Sequence, residues 1–446
     1  MGTLTRRKLI HSTLGGLAAA SALGHSNGIL HAVPKAPSEG VFSTKRRAKS
    51  VIQIWLWGGA CHLDTFDPKP EAGPEYAGPF THSLKTNVPG IHINPKFPLL
   101  AKQAHRYSLI RSMTHGNNSH ETASYMVQTG HPAGGKLVHP CLGAVLSHHT
   151  QSQSGYSLGL PPYIVMTKAQ GRFSEAGFLG NKHKPFATGG NPAASVFAVD
   201  GIISPGITEK RQKARLDLLQ KNDQLAHFLN QNATVGQNLK ARQEAYDFCF
   251  GDLGNVFNPK MEKEATREAY GTQTFGQSCL VARRLVEAGV PYVTINFTGW
   301  DTHKKHFEAM NTKLPQLDQG VAMLLQDLDE RGLLQDTIVW VGGEFGRTPK
   351  IQQLAPWNGG RSHFGAVFST LIAGGGFQSG QIVGATDARG MEVADRPVSP
   401  WDFMGSLYTR LGIDPSGSIP HPYGYSVPLK PDHKYKQSGG FLHEIM

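Results

Sequence analysis

The sequence has few cysteines, few charged residues and no long apolar run in its main part, and each shortage excludes a class of protein. Only four of the 446 residues are cysteines, and no two have the CxxC spacing of a structural zinc site. Charged residues make up 17% and hydrophobic residues 39%, a balance that excludes a disordered chain. Beyond the N-terminus no stretch reaches the roughly 18 apolar residues of a membrane helix. We therefore do not expect an integral membrane protein.

Basic residues, glycine, proline and histidine are the groups in excess. Lys and Arg (44) outnumber Asp and Glu (33), for a net charge of +11. No zinc-finger spacing or aromatic RNA-binding motif accompanies this charge, so we expect no nucleic-acid partner, although a basic surface attracts anionic esters. Glycine (52) and proline (28) together exceed their usual share of roughly 12%, which predicts long structured loops. The 21 histidines raise the question of metal binding, because histidine is the commonest metal ligand.

The N-terminal segment has the pattern of an export signal. Arg6 and Arg7 precede a small-residue apolar run over 13–23 and the small residues of 20–22, as in a signal peptide. The paired arginines predict a twin-arginine signal over 1–32 and a flexible leader over 33–49, and hence a periplasmic or secreted protein. The alternative is an ordinary secretory signal that contains two arginines. We expect residues 50–446 to form one domain with a helical insertion near 205–270.

Strand and helix patterns alternate along this domain. Apolar runs predict strands over 51–57, 107–110, 292–297, 337–341 and 368–373, and amphipathic patterns predict helices over 121–128, 139–147, 274–288, 304–331 and 401–411. This alternation indicates the α/β class, with a mostly parallel central sheet covered by helices on both faces.

Polar clusters stand where the predicted strands end or begin. They contain the candidate site residues His62, Asp64, Arg111, His115, Ser119, His120, Thr122, Asp301, His303, Glu344, Arg347, Arg361 and His363. Because ligands of open α/β sheets bind outside the carboxyl ends of the strands, we expect these clusters to meet in one crevice. Carboxylates and imidazoles suit zinc, manganese or similar divalent ions. Taken singly, each residue also has a structural explanation as a turn cap, a helix cap or an ion-pair partner.

Several motifs together resemble a family. They are Gly58-Gly59 with His62-Leu-Asp64-Thr-Phe-Asp67, then Gly299-Trp-Asp-Thr-His303, then Gly343-Glu-Phe-Gly-Arg-Thr-Pro349. Over about residues 50–415 the chain resembles a large, mostly uncharacterised family of secreted, sulfatase-like bacterial proteins. The resemblance implies the fold of the alkaline phosphatase superfamily, a three-layer sandwich. That superfamily includes phosphatases, sulfatases and phosphodiesterases.

The resemblance also implies a position for a nucleophile. In the superfamily this residue begins a helix that ends in Thr-Gly, and the stretch from Ser119 to Gly130 resembles that helix. The matching position holds His120, and histidine acts as a nucleophile or as a base. Ser119 and Thr122 are the alternatives if the register shifts.

Two metal sites are implied, one intact and one depleted. Asp301, His303 and His363 resemble the first site, with His306 as an alternative to His303. Glu344 resembles one ligand of the second site. Its other ligands are replaced by Gly58, Phe345 and Ser362, so His62 or Asp64 would have to reach in. This pattern predicts one divalent ion (zinc, manganese or calcium), an altered pair of ions, or a binding protein that has lost catalysis.

Two functions follow from these residues. The first is a metal-dependent hydrolase of phosphate or sulfate esters in the cell envelope, acting on an anionic ester or a sulfated or phosphorylated glycan. Arg111, Arg347 and Arg361 are candidates for binding the anionic oxygens, with His115 beside them, and a structural ion pair is the alternative for each arginine. The chain has no Cys-x-Pro-x-Arg motif, which disfavours a formylglycine sulfatase. The second function is a non-catalytic module that binds a glycan or a protein.

Overall fold

The computed structural model describes residues 48–153, 156, 158–169, 175–199, 210, 211, 214, 218, 252–432 and 435–446. The predicted signal peptide, almost all of the leader and most of the predicted helical insertion lie outside these residues, as does Cys249. The other three cysteines, Cys61, Cys141 and Cys279, are buried free thiols.

Sixteen strands and eight α-helices are found in the described residues. The strands are β1 Ser50–Leu56, β2 Leu84–Lys85, β3 His92–Ile93, β4 Tyr107–Met113, β5 Tyr163–Met166, β6 Phe186–Ala187, β7 Tyr292–Phe297, β8 Thr337–Gly342, β9 Gly346–Arg347, β10 His363–Phe364, β11 Phe368–Gly374, β12 Ile382–Val383, β13 Ala385–Thr386, β14 Val393–Asp395, β15 Ser418–Pro420 and β16 Ser426–Pro428. The helices are α1 Pro74–Ala77, α2 Pro98–Ala101, α3 His120–Thr129, α4 Leu142–Gln153, α5 Glu264–Tyr270, α6 Thr274–Glu287, α7 His306–Glu330 and α8 Pro400–Arg410.

Eight of these strands form one central sheet in the order β12-β4-β11-β8-β1-β7-β5-β6. Strand β1 lies at its centre, parallel to both β7 and β8. Strand β11 is antiparallel to its neighbours β4 and β8, so it alone runs against the other seven. The predicted α/β class with a mostly parallel sheet is confirmed.

The direction of β11 matters for the position of His363. The carboxyl ends of β1, β7 and β8 lie at one edge of the sheet because these strands are parallel. Strand β11 is antiparallel to β8, so its amino end lies at that same edge. A residue that precedes β11 therefore reaches the side chains that follow β7 and β8.

Apolar side chains cover both faces of the sheet. In β1, Ile52 and Ile54 belong to one buried cluster and Val51 and Trp55 to another, as expected for a strand whose side chains alternate between two buried faces. Helices α6 and α7 contribute to the first cluster, and α4 and α8 to the second. The sheet is therefore the middle of three layers.

The long helix α7 follows the sequence prediction closely. Its observed bounds, His306–Glu330, lie just inside the predicted 304–331. The helix predicted over 139–147 is found at Leu142–Gln153, because Pro140 and Cys141 precede its first turn. Among the described residues, no helix combines the length and the apolar character needed to cross a membrane.

Candidate functional site

The carboxylate of Asp301, just after β7, is the centre of a polar cluster at this edge of the sheet. The Nε2 atoms of His303 and His363 lie 3.0 and 3.1 Å from Asp301 Oδ1, and they lie 2.9 Å from each other. His120 Nε2 lies 3.3 Å from the second oxygen, Oδ2. Three imidazole nitrogens thus surround one carboxylate whose side chain is 42% exposed, so the cluster opens to solvent.

In two of these imidazole rings, a hydrogen bond made by the other ring nitrogen, Nδ1, fixes the orientation of the ring. His120, at the start of α3, directs Nδ1 to Glu344 Oε1 at 2.7 Å. His363 directs Nδ1 to the carbonyl oxygen of Asn118 at 2.7 Å. Each ring therefore donates from Nδ1 and leaves Nε2 facing Asp301. Metal-bound histidines have this arrangement, because a partner on the other ring nitrogen fixes the tautomer and the ring orientation.

Arg347 and Asp301 form an ion pair inside the cluster. The guanidinium Nη2 contacts Asp301 Oδ1, and the arginine side chain is fully buried. Burial alone would raise the pKa of Asp301, but hydrogen bonds from His120 and His363 and the charge of Arg347 hold this pKa well below its usual range. Asp301 is therefore a carboxylate at any physiological pH.

The histidines differ in their proton affinity. Burial, together with the nearby charge of Arg347, lowers the pKa of His303, which favours the neutral ligand form. Hydrogen bonds to Asp301 and Glu344 raise the pKa of His120 to about 9. A cation that binds here at neutral pH must therefore displace a proton from His120.

Three residues of the cluster have the spacing of a candidate metal site. His120, Asp301 and His363 each offer a ligand atom within 4.8 Å of one another. His303 lies outside this group of three, but its Nε2 is 3.0 Å from Asp301 Oδ1. Three imidazole nitrogens with a carboxylate form a donor set typical of zinc and related transition metals.

Backbone and an aromatic ring occupy the positions where the resemblance implies a second metal site. Gly58 has a φ of +110°, and a Cβ atom there would lie 2.1 Å from the backbone nitrogen of Asp301, so no side chain fits. Its N–H instead donates to Glu344 Oε1 at 2.9 Å. Phe345 packs on His363 and His120, with ring centroids 4.6 and 5.0 Å apart.

Asp64 and Arg361 lie in a separate, fully buried network. Arg361 binds both carboxylate oxygens of Asp64, with Nε at 2.7 Å and Nη2 at 3.0 Å. His306 Nε2 lies 2.7 Å from Asp64 Oδ2, and Thr302 Oγ1 lies 2.5 Å from His306 Nδ1. His62, also buried, contacts the carbonyl oxygen of Gly390 at 2.8 Å through Nε2. These contacts hold the loops around the cluster together.

The remaining candidates make structural contacts. Arg111 donates to the carbonyl oxygens of Phe66 (2.9 Å) and His92 (2.7 Å) and pairs with Asp67 at 3.4 Å. The hydroxyl of Thr122 donates to Asn117 Oδ1 at 2.9 Å.

Ser119 and His115 also lie at this edge. Ser119 is the exposed residue before α3, and its side chain makes no capping hydrogen bond. His115 contacts the backbone carbonyl of Glu344 at 2.7 Å through Nε2, and burial lowers its pKa to about 4. His115 is thus a neutral donor that positions the segment carrying Glu344.

Sequence reasoning missed three neighbours of the cluster. The carbonyl of Asn118 orients His363, but every residue has a backbone carbonyl, so the sequence holds no signal for this role. Trp57 lies along His120 with ring centroids 5.7 Å apart, and Trp357 lies 5.9 Å from the ring of His303. Both tryptophans are only partly buried. The sequence signal for them is a tryptophan beside a polar strand-end cluster, as Trp57 is before Gly58 and Trp357 is before Gly360.

The fold and this cluster define an α/β protein with a candidate metal centre at one edge of its sheet. The chain belongs to the DUF1501 family, described as proteins of unknown function, whose model matches residues 48–436. The resemblance to an uncharacterised family is thus confirmed, whereas twin-arginine export stays a prediction. No curated protein matches the sequence.

Several solved structures resemble the chain distantly. The lipoteichoic acid synthase LtaP from Listeria monocytogenes is 9% identical over 85% of this chain and 76% of its own, with a TM-score of 0.39. The periplasmic domain of EcEptC from Escherichia coli, in complex with Zn, is 9% identical over 85% and 87%, with a TM-score of 0.37. The phosphonate monoester hydrolase SpPMH from Silicibacter pomeroyi is 10% identical over 82% and 73%, with a TM-score of 0.33. At such scores these likenesses assign no activity to the chain.

Proposed function

We propose that this protein is a metal-dependent hydrolase of phosphate or sulfate esters. One observation carries the proposal: three imidazole nitrogens from separate segments of the chain converge on the carboxylate of Asp301 at the solvent-open edge of the sheet. The resemblance to the alkaline phosphatase superfamily suggests the ester class. The buried guanidinium of Arg347 beside the cluster suits an anionic ester, because guanidinium and phosphate or sulfate oxygens match in geometry.

Each side chain has a distinct task in this proposal. His120, His303, His363 and Asp301 hold the ion, which when bound polarises an ester oxygen and lowers the pKa of water. Glu344 keeps the proton of His120 on Nδ1, so that Nε2 stays free to bind. Arg347 neutralises charge on the ester. This assignment makes His120 a ligand rather than a nucleophile.

The donor set favours zinc over manganese and calcium. Calcium prefers six to eight oxygen ligands, whereas the cluster offers three nitrogens and one carboxylate. Imidazole-rich sites suit zinc and other transition metals.

A binding module is the second candidate function. It is favoured by the structure at Gly58 and Phe345, where no ligands for a second ion are present. In this alternative the ion and Arg347 hold an anionic glycan without cleaving it. Export by the twin-arginine pathway to the periplasm or the exterior is proposed from the N-terminal arginines and suits either function.

Metal analysis with an ester panel tests the proposal. Purified protein should retain about one transition-metal ion per chain by mass spectrometry and should hydrolyse at least one aryl phosphate, phosphodiester or sulfate ester. The His363→Ala variant should lose both properties, whereas His82→Ala, at an exposed histidine, should keep them. A protein that holds metal but cleaves no ester, and whose His363→Ala variant loses only anion binding, would support the binding module instead.

The hydroxyl of Ser119 is expected to be dispensable. Because Ser119 is exposed and makes no capping bond, Ser119→Ala should change turnover by no more than about twofold, the effect of roughly 0.5 kcal/mol that is usual for a surface substitution. His120→Ala should instead lose metal and turnover together. Steady-state kinetics with metal analysis decides between the two residues. Inactivity of Ser119→Ala with metal retained would make Ser119 the nucleophile.

A further inference from the structure

We propose that this site selects esters that carry a single negative charge, such as sulfate monoesters or phosphate diesters, over doubly charged phosphate monoesters. The inference rests on the proposed metal site but not on turnover, because it concerns which anion binds. It follows from the fixed charges that the chain places in and around the cluster.

The charged side chains in contact with the described cluster are Asp301, Glu344 and Arg347. Glu344 Oε1 accepts hydrogen bonds from His120 Nδ1 (2.7 Å) and from the backbone of Gly58 (2.9 Å), which is the role of a carboxylate. Arg347 pairs with Asp301. The nearby carboxylate of Asp64 is already neutralised by the guanidinium of Arg361 and adds no net charge.

The charges of these groups and of a bound divalent ion sum to +1, which the ligand must balance. A divalent ion and Arg347 supply three positive charges, the carboxylates of Asp301 and Glu344 supply two negative ones, and histidine ligands are neutral when bound. A singly charged ester brings the sum to zero. A doubly charged phosphate monoester leaves an uncompensated negative charge, which is costly in a partly desolvated site.

Atoms without partners support the same selection. The Nε and Nη1 atoms of Arg347 are buried and have no hydrogen-bond partner among the described residues. They are therefore two donors that the described residues leave unsatisfied beside the cluster. Glu344 Oε2 is also buried without a partner, and its negative charge opposes a second charge on the ligand. Phe345, which packs on His120 and His363, supplies no positive charge and no cation ligand.

Anion binding to the metal-loaded protein tests this proposal. Isothermal titration at pH 8 would compare dimethyl phosphate and methyl sulfate, which are singly charged, with methyl phosphate, which is doubly charged. We expect the wild type to bind the singly charged anions more tightly. Glu344→Gln removes one negative charge from the site and should shift the affinity ratio toward methyl phosphate by at least about tenfold, because a like-charge contact costs several kcal/mol.

Charge-conserving variants separate charge from geometry. Glu344→Asp and Arg347→Lys keep the net charge and should keep the order of affinities, even where binding weakens. Arg347→Gln removes a positive charge and should weaken the binding of dimethyl phosphate, with metal content checked in each variant. Tighter binding of methyl phosphate by the wild type, or an unchanged ratio in metal-loaded Glu344→Gln, would overturn the proposal. If Glu344→Gln loses its metal, Arg347→Lys decides instead. Tighter binding of methyl phosphate than of dimethyl phosphate by metal-loaded Arg347→Lys would overturn the proposal.

The result is separable from the proposed function. Selective binding of singly charged anions without hydrolysis of any ester would support the charge selection and contradict the hydrolase. Hydrolysis of phosphate monoesters with tighter binding of methyl phosphate would support the hydrolase and contradict the charge selection.

Discussion

The Asp301→Asn variant should lose its metal and its ester turnover together. The carboxylate of Asp301 contacts three imidazoles and the guanidinium of Arg347, so its negative charge faces every other ligand candidate of the cluster. Loss of a hydrogen-bond partner of a metal ligand costs roughly 10–100-fold in metal affinity, and loss of a direct ligand should cost at least about 100-fold. Chelator competition and steady-state kinetics on the same preparation measure both effects.

Asp329→Asn is the matched control for this variant. Asp329 also pairs with an arginine, Arg106, at 2.7 Å, but its side chain is 46% exposed and the pair is remote from the cluster. Metal content and turnover should equal those of the wild type, since surface ion pairs contribute only about 0–1 kcal/mol. Full metal retention by Asp301→Asn would refute the central role of this carboxylate and with it the proposed metal site.

The sheet and the position of the cluster follow from local sequence patterns. The apolar run before Gly58 predicts a strand buried on both faces, and β1 is found there with every residue buried. Since ligands of α/β sheets bind at the carboxyl ends of strands, Asp301 after β7 and Glu344 after β8 are expected at one edge. Hydrogen bonds from His120 to Glu344 and Asp301 place these residues together.

The sequence does not show which side chains of the loops pair with each other. His303 and His306 are only three residues apart, and both suit a metal by residue type. The start of α7 directs His306 to the buried Asp64 at 2.7 Å, whereas His303 lies in the loop beside Asp301. Arg361 likewise suits an anion by residue type, but Asp64, which is 297 positions away in the sequence, takes its guanidinium. Such pairings depend on the tertiary packing of distant loops.

The largest loss of stability is expected from Arg361→Met. This substitution leaves the carboxylate of Asp64 buried with only His306 and the Cys61 thiol as side-chain partners, and removal of one member of a buried ion pair usually costs about 3–5 kcal/mol. Urea denaturation should show this decrease in the free energy of unfolding. Lys350→Met is the control, because the ion pair of Lys350 with Glu75 is exposed and should contribute about 0–1 kcal/mol.

The pH dependence of this loss identifies its cause. Burial alone would raise the pKa of Asp64, but the charge of Arg361 outweighs it and lowers this pKa below the usual value. A carboxyl with a lowered folded-state pKa contributes stability above its unfolded pKa of about 4, and this contribution is lost as the pH falls through the folded-state value.

Without Arg361, burial should instead favour protonation of Asp64, which relieves the unpaired charge in acid. The difference in the free energy of unfolding between Arg361→Met and the wild type should therefore start to narrow as the pH falls through the raised folded-state pKa of Asp64 in the variant. It should narrow further below about 4, where the wild type loses the contribution of its ionised Asp64. A difference that is independent of pH would mean that Arg361 stabilises the fold through its packing and its hydrogen bonds to the carbonyls of Tyr76 and Thr348 rather than through its charge.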